Sequence, residues 1–83
     1  MASKDWERIE DLKTSLGLAI RRRRCGVGLS QAELAQRAGL HRTYVSDLER
    51  GARNPSIESI DKLARALHIS VLKLFEVAGH ERH

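Results

Sequence analysis

Eight arginines and no lysine stand between residues 20 and 53, namely Arg21, Arg22, Arg23, Arg24, Arg37, Arg42, Arg50 and Arg53, against Glu33, Asp47 and Glu49 alone. The flanking segments are close to neutral, so the formal charge of +4 on this 83-residue chain is concentrated in one stretch. A guanidinium is planar, always charged, and donates paired hydrogen bonds to the two oxygens of a phosphate. The pattern therefore suits a polyanion, nucleic acid above all, with a merely solvated charged face as the competing reading.

Other chemistry is thin. Cys25 is the sole cysteine and cannot form an intramolecular disulfide, and no CxxC or Cys/His cluster offers a structural metal. Four neighbouring arginines would favour an exposed Cys25 thiolate, which suggests redox sensing, but a small inert side chain at a helix end is the simpler reading. His80 and His83 share an i, i+3 spacing without a third ligand, so neither a metal nor a cofactor is expected. Asn54-Pro55-Ser56 is no glycosylation acceptor, because proline occupies the middle. Serine, histidine and aspartate are all present, but nothing arranges them as a triad. A chain this short buries only about 60–65% of its unfolded surface, too little for a deep substrate cavity with its own scaffold, and an enzyme is not expected. The opening MASKDWERIEDLK is charged, and no run approaches the roughly 18 apolar residues of a membrane span. A soluble, cytoplasmic protein is the expectation.

The elements that must carry these side chains are short helices, and the fold class is all-α with five of them. Trp6, Ile9, Leu12, Leu16 and Ile20 recur at 3-3-4-4 spacing, one helical face, in a first helix stopping near Arg24 before Gly26-Val27-Gly28. Ser30-Gln31-Ala32-Glu33 fits a capping box opening a second helix that runs to about Ala38 and is ended by Gly39. A third spans roughly His41 to Arg50, with Gly51 where a left-handed residue is wanted. Ser56 caps a fourth carrying Ile57, Ile60, Leu63, Ala64 and Leu67, and Ser70 caps a last one that is apolar nearly all round. The expected core is Leu16, Ile20, Leu29, Leu34, Ala35, Leu40, Val45, Leu48, Ile57, Ile60, Leu63, Ala64, Leu67, Leu74 and Phe75. Residues 1–15 read as an N-terminal helical extension, 16–78 as the domain and 79–83 as a tail.

Two short helices joined by a tight turn make a helix-turn-helix, whose second helix enters the major groove. Residues 31–50 meet its steric demands in order: small Ala35 at the helix crossing, Gly39 at the turn, and Leu34, Leu40, Val45 and Leu48 as the apolar faces. The stretch LSQAELAQRAGLHRTYVSDLERGARNPSIESIDKLARAL resembles the helix-turn-helix domain of the lambda/434 repressor and Cro (Xre-type) superfamily, over about residues 16–78. RTYVSDLERGARNPSI is most similar to small stand-alone regulators such as restriction-modification controller proteins. The resemblance implies a five-helix lambda-repressor-like domain that dimerises on an inverted-repeat operator, and a transcription regulator that represses by blocking a promoter or activates by touching RNA polymerase.

It also assigns residues. Gln31 matches the family glutamine that contacts a phosphate and braces the recognition helix. His41, Arg42 and Thr43 open that helix, with Arg42 the strongest candidate for bidentate readout of guanine O6 and N7. Ser46 and Asp47 lie one turn on. Asp47 either accepts from cytosine N4 or pairs with Arg50 at i+3. Tyr44 either places its hydroxyl on a phosphate or half-packs its ring on the second helix. Arg50, Arg53 and Asn54 read as a phosphate clamp, and Arg24 and Glu49 match a family ion pair tying the first helix to the third. Three positions depart from the pattern: Arg23 stands where an apolar residue is common, His41 replaces the usual Ser/Thr cap, and His68 stands where glycine or asparagine often closes the fourth helix.

One recognition helix reads too few base pairs to find a genomic site, so a homodimer is expected. Val71, Leu72, Leu74, Phe75, Val77 and Ala78 exceed what one buried stripe needs and form the candidate interface, with Trp6, Ile9 and Leu12 packing on it or joining it. The alternative is an antitoxin-type protein-interaction module that also autoregulates its operon.

Overall fold

A computed structural model describes residues 5–80, with side chains over residues 11–79. The side chains of Trp6, Ile9, His80 and His83 lie outside the described residues. Five helices follow one another, α1 (Asp5–Gly26), α2 (Gln31–Ala38), α3 (Arg42–Glu49), α4 (Ile57–Ala66) and α5 (Val71–His80), and there is no strand among the described residues.

Local chemistry sets their ends. The Ser30 hydroxyl accepts from the Glu33 amide at 3.0 Å while the Glu33 carboxylate accepts from the Ser30 amide at 2.8 Å, completing the capping box of α2. That amide, with the Ser30 hydroxyl, holds the Glu33 carboxyl below its ordinary range. Its contribution to stability is therefore complete above the usual carboxylate range and is lost as the pH falls through the depressed value. Ser30→Ala is expected to destabilise the domain by about 1 kcal/mol and to weaken the acid limb of a melting-temperature profile against pH. Equal melting temperatures for the two proteins from neutral to acidic pH would remove the box from the account.

Helices α1 to α4 all close with the same pair of backbone hydrogen bonds around a left-handed residue, at Gly28, Gly39, Gly51 and His68. Only His68, at φ 57°, bears a side chain there, a conformation that carries strain for a residue with a Cβ. Arg23 explains how the turn is held. Its Nε donates to the Leu67 carbonyl at 2.9 Å and its Nη2 to the His68 carbonyl at 3.2 Å. Two departures from the family pattern are thus one device, an arginine from α1 capping the end of α4.

α1 packs on α5 and α3, α2 on α3 and α4, and α4 on α5. Ile20, Leu34, Val45, Leu63, Leu67 and Leu74 are fully buried at the centre. Three expected core residues are not. Ile57 is 78% exposed, and Leu40 and Phe75 are only partly buried against the cluster. Ile57 shares a face with Ile60 and Ala64, but it opens α4, and periodicity places a side chain on a face without supplying a neighbour opposite it.

The expected interface divides in the same way. Leu74 and Ala78 are wholly buried in the protomer's own core, four residues apart on the face of α5 turned inward, and are removed from any dimer surface. Leu72, roughly 160° away around the helix, is 83% exposed. Val71, Phe75 and Val77 lie between these extremes.

Candidate nucleic-acid interface

Helix α3 is seated by a buried polar knot. Arg24 Nε and Nη2 donate to the two carboxylate oxygens of Glu49 at 2.6 and 2.9 Å, and the side chains are 12% and 4% exposed. Arg24 Nη1 also donates to the Leu29 carbonyl at 2.8 Å, and Gln31 Nε2 donates to Glu49 Oε1 at 3.0 Å. One carboxylate thus joins the end of α1, the start of α2 and the end of α3. The hydrogen bond to Glu49 holds the Arg24 guanidinium above its ordinary value. Alongside it, α1 and α3 cross at backbone distance: a Cβ on Gly17 would lie 2.2 Å from the Leu48 carbonyl oxygen.

With its base held, α3 presents its other end. His41, Arg42 and Thr43 are exposed. His41 sits in extended backbone, and its Nδ1 accepts from the Thr43 amide at a long 3.4 Å, so the imidazole serves as the cap that the family supplies with a hydroxyl. Ser46 and Asp47 are half-exposed on the next turn. Asp47 Oδ1 accepts from Arg50 Nη2 at 2.5 Å and Oδ2 from Arg53 Nη2 at 3.2 Å. The Arg53 guanidinium lies 4.7 Å from the Tyr44 ring centroid, a cation–π distance. Arg50, Arg53 and Asn54 are exposed.

This layout matches known proteins. The family profile described as helix-turn-helix covers residues 20–74. The chain belongs to the helix-turn-helix family. Within that family it is 42% identical to control protein C.SmaI of Serratia marcescens over 83% of this chain and 82% of the relative. It is 46% identical to control protein C.BamHI of Bacillus amyloliquefaciens over 58% of this chain, spanning 59% of that relative's length. Among solved structures it superposes with a TM-score of 0.79 and 32% identity on the restriction-modification controller protein C.Esp1396I, determined as a tetramer with its natural 35-base-pair operator, covering 86% of this chain and 93% of that one.

Gln31 opens α2, and His41, Arg42, Thr43, Ser46, Asp47, Arg50 and Arg53 lie on α3 or flank it. Tyr44 is half-buried. Of the two readings left open for Asp47, the arginine partnership is the one the structure shows, and it includes Arg53 as well as Arg50. The run Arg21–Arg24 splits: Arg24 enters the knot, Arg23 caps α4, and Arg21 and Arg22 are exposed. Two contributors were missed, the Gly17 crossing and the Arg23 cap. The first had a signal, a glycine in mid-helix beside the apolar stripe where no turn was wanted; the second had none, because its partners are backbone atoms 44 and 45 residues away.

A groove of about 130 Å³ is lined by Leu12, Lys13, Leu16, Asn54, Pro55, Ile60 and Phe75. Leu72 stands one turn before Phe75 on α5 and Ile57 one turn before Ile60 on α4, and both are exposed. Among the described residues no group of histidine, cysteine, aspartate and glutamate is placed to hold a metal, and no helix is long and apolar enough to cross a membrane.

Proposed function

We propose that this chain is a sequence-specific, double-stranded DNA-binding transcription regulator that acts as a homodimer on an inverted-repeat operator. The observation that carries the reading is the α3 arrangement: a short helix anchored at its C-terminal end by the Arg24–Glu49–Gln31 knot, with Arg42 and Thr43 free at the other end and two arginines beside it. The operator complex of C.Esp1396I supports it by likeness. A helix entering the major groove N-terminal end first would bring Arg42 to a guanine edge, while the first amides of α2 and Gln31 meet a phosphate. Arg50, Arg53 and Asn54 would lie along the backbone, where contacts orient without reading sequence.

The homodimer would form through Leu72, Phe75 and Ile57 around the groove under Phe75. Each copy would bury the other's exposed aliphatics, and the two α3 helices would fall about 34 Å apart, one turn of B-DNA. With about eight to ten phosphates contacted per dimer, log affinity should fall with log salt by about 0.9 per phosphate.

The test is selection from a randomised duplex pool, followed by titration of variants on the enriched duplex and its single-base changes. Arg42→Ala is expected to lose about 1–3 kcal/mol of discrimination at one or two base pairs per half-site. Arg53→Ala should instead weaken binding to the enriched duplex and to its single-base changes alike, and lower the salt slope by about one per protomer. If neither substitution alters DNA binding, the docking is wrong.

A further inference from the structure

Asp47 presents an electrostatic problem that phosphate binding does not solve. It is a carboxylate on the surface of α3 that would face a polyanion, and charge alone says that its removal should strengthen binding to any DNA. Both of its oxygens are occupied, one by Arg50 and one by Arg53. Its side chain is 20% exposed, against 66% for Arg50 and 45% for Arg53, so the carboxylate lies beneath the two guanidiniums. Each arginine commits one Nη2 to it and keeps its remaining N–H donors for another acceptor. Arg53 is held a second time by the Tyr44 ring. These contacts span the helix and the loop after it, since Arg53 lies six residues from Asp47 and beyond the end of α3.

We infer that Asp47 is a positioning residue that sets the specificity of DNA binding: by holding Arg50 and Arg53 in one arrangement, it raises binding to the operator relative to binding to arbitrary sequence. The inference rests on the DNA-binding reading above. Two effects carry it. Long arginine side chains lose rotamer freedom when they contact phosphate, and that loss is smaller when they are already held in place. Asp47 also competes with phosphates for both guanidiniums. A correctly docked backbone can use the donors left open, whereas a phosphate offered in another register must first draw the arginines off the carboxylate. Arginine charge that would otherwise bind any duplex is thereby restricted to one geometry.

The experiment uses the full chain, the duplex that the wild-type protein enriches from a randomised pool, and a scrambled duplex of the same length and composition. Affinities are measured for wild type and Asp47→Asn on both duplexes over a series of salt concentrations, with thermal unfolding to confirm folding and Asp47→Ser as a second neutral replacement. Asp47→Asn should bind the scrambled duplex several-fold more tightly and the enriched duplex several-fold more weakly, lowering their ratio about tenfold. In an Arg50→Ala, Arg53→Ala background the same substitution should leave the ratio unchanged, because there is nothing left to position. Equal tightening on both duplexes, or no change on either, overturns the inference in favour of a plain charge effect. A ratio that still falls without the two arginines overturns it in favour of direct base contact by Asp47. A wild-type protein that enriches no duplex overturns the DNA-binding reading itself, an outcome seen before any variant is made.

Discussion

Glu49→Ala is expected to lower the unfolding free energy by about 3–5 kcal/mol, the cost of leaving one partner of a buried ion pair uncompensated. A domain of this size has on the order of 4–12 kcal/mol in all, so the variant should be at the edge of folding at 37 °C. The carboxylate that is removed accepts two hydrogen bonds from Arg24 and one from Gln31. Arg24 would keep only the Leu29 carbonyl, its guanidinium charged and scarcely reached by water. Urea unfolding measures the loss. Replacing both partners, Arg24→Met with Glu49→Met, should recover most of the stability because no isolated charge remains. It should not recover operator affinity, since α1, α2 and α3 are then no longer tied through one carboxylate. A Glu49→Ala protein within about 1 kcal/mol of wild type would show that the knot carries no such weight.

Gly17→Ala should lower the melting temperature by about 10 °C, although helix propensity by itself argues the opposite. Alanine in place of glycine inside a helix is favoured by about 1 kcal/mol. Here the new methyl would lie 2.2 Å from the Leu48 carbonyl oxygen and 3.0 Å from that of Glu49, both backbone atoms that no rotamer change can move. α1 and α3 would have to separate, which costs more than the propensity gain and leaves a net loss of about 2 kcal/mol, or about 8–16 °C for a domain of this length. The carbonyl displaced first is the one that accepts from the Gly51 amide at the end of α3, and the neighbouring residue is Glu49, so operator affinity should fall as well. Gly26→Ala is the control. No atom outside its immediate surroundings lies within 4 Å of a Cβ there, and its melting temperature should hold or rise slightly. Stabilisation by Gly17→Ala would mean that α1 and α3 do not cross as closely as described.

Much of the site was legible because it depends on short-range pattern. Ser30 and Glu33 form their box from a four-residue window, and Gly39 and Gly51 take the left-handed turns their positions demanded. Asp47 and Arg50 meet because three residues on a helix bring side chains together. Arg53, six residues along and past the helix end, reaches the same carboxylate only through the path of the following loop, and no local spacing announces it. The pairing of Arg24 with Glu49 came from family resemblance, since 25 residues separate the two.

Burial was less legible wherever it depended on a neighbour. Periodicity put Ile57 with Ile60 and Ala64, yet no described residue covers its place in the first turn of α4, and it is 78% exposed. Composition made α5 apolar nearly all round and therefore a single interface, whereas packing on α1 and α4 took Leu74 and Ala78 inward and left Leu72 outside.

The sequence by itself determined five helices, the helix-turn-helix formed by α2 and α3 and the arginine-rich surface around it, because caps, left-handed turns and amphipathic faces are properties of a few consecutive residues. Tertiary structure alone decided that Gly17 must lack a side chain, that Arg23 closes α4, that Asp47 gathers two arginines, and which part of α5 remains for a partner. Each of these depends on the distance between elements far apart in the chain, which is set only once the helices have packed against one another.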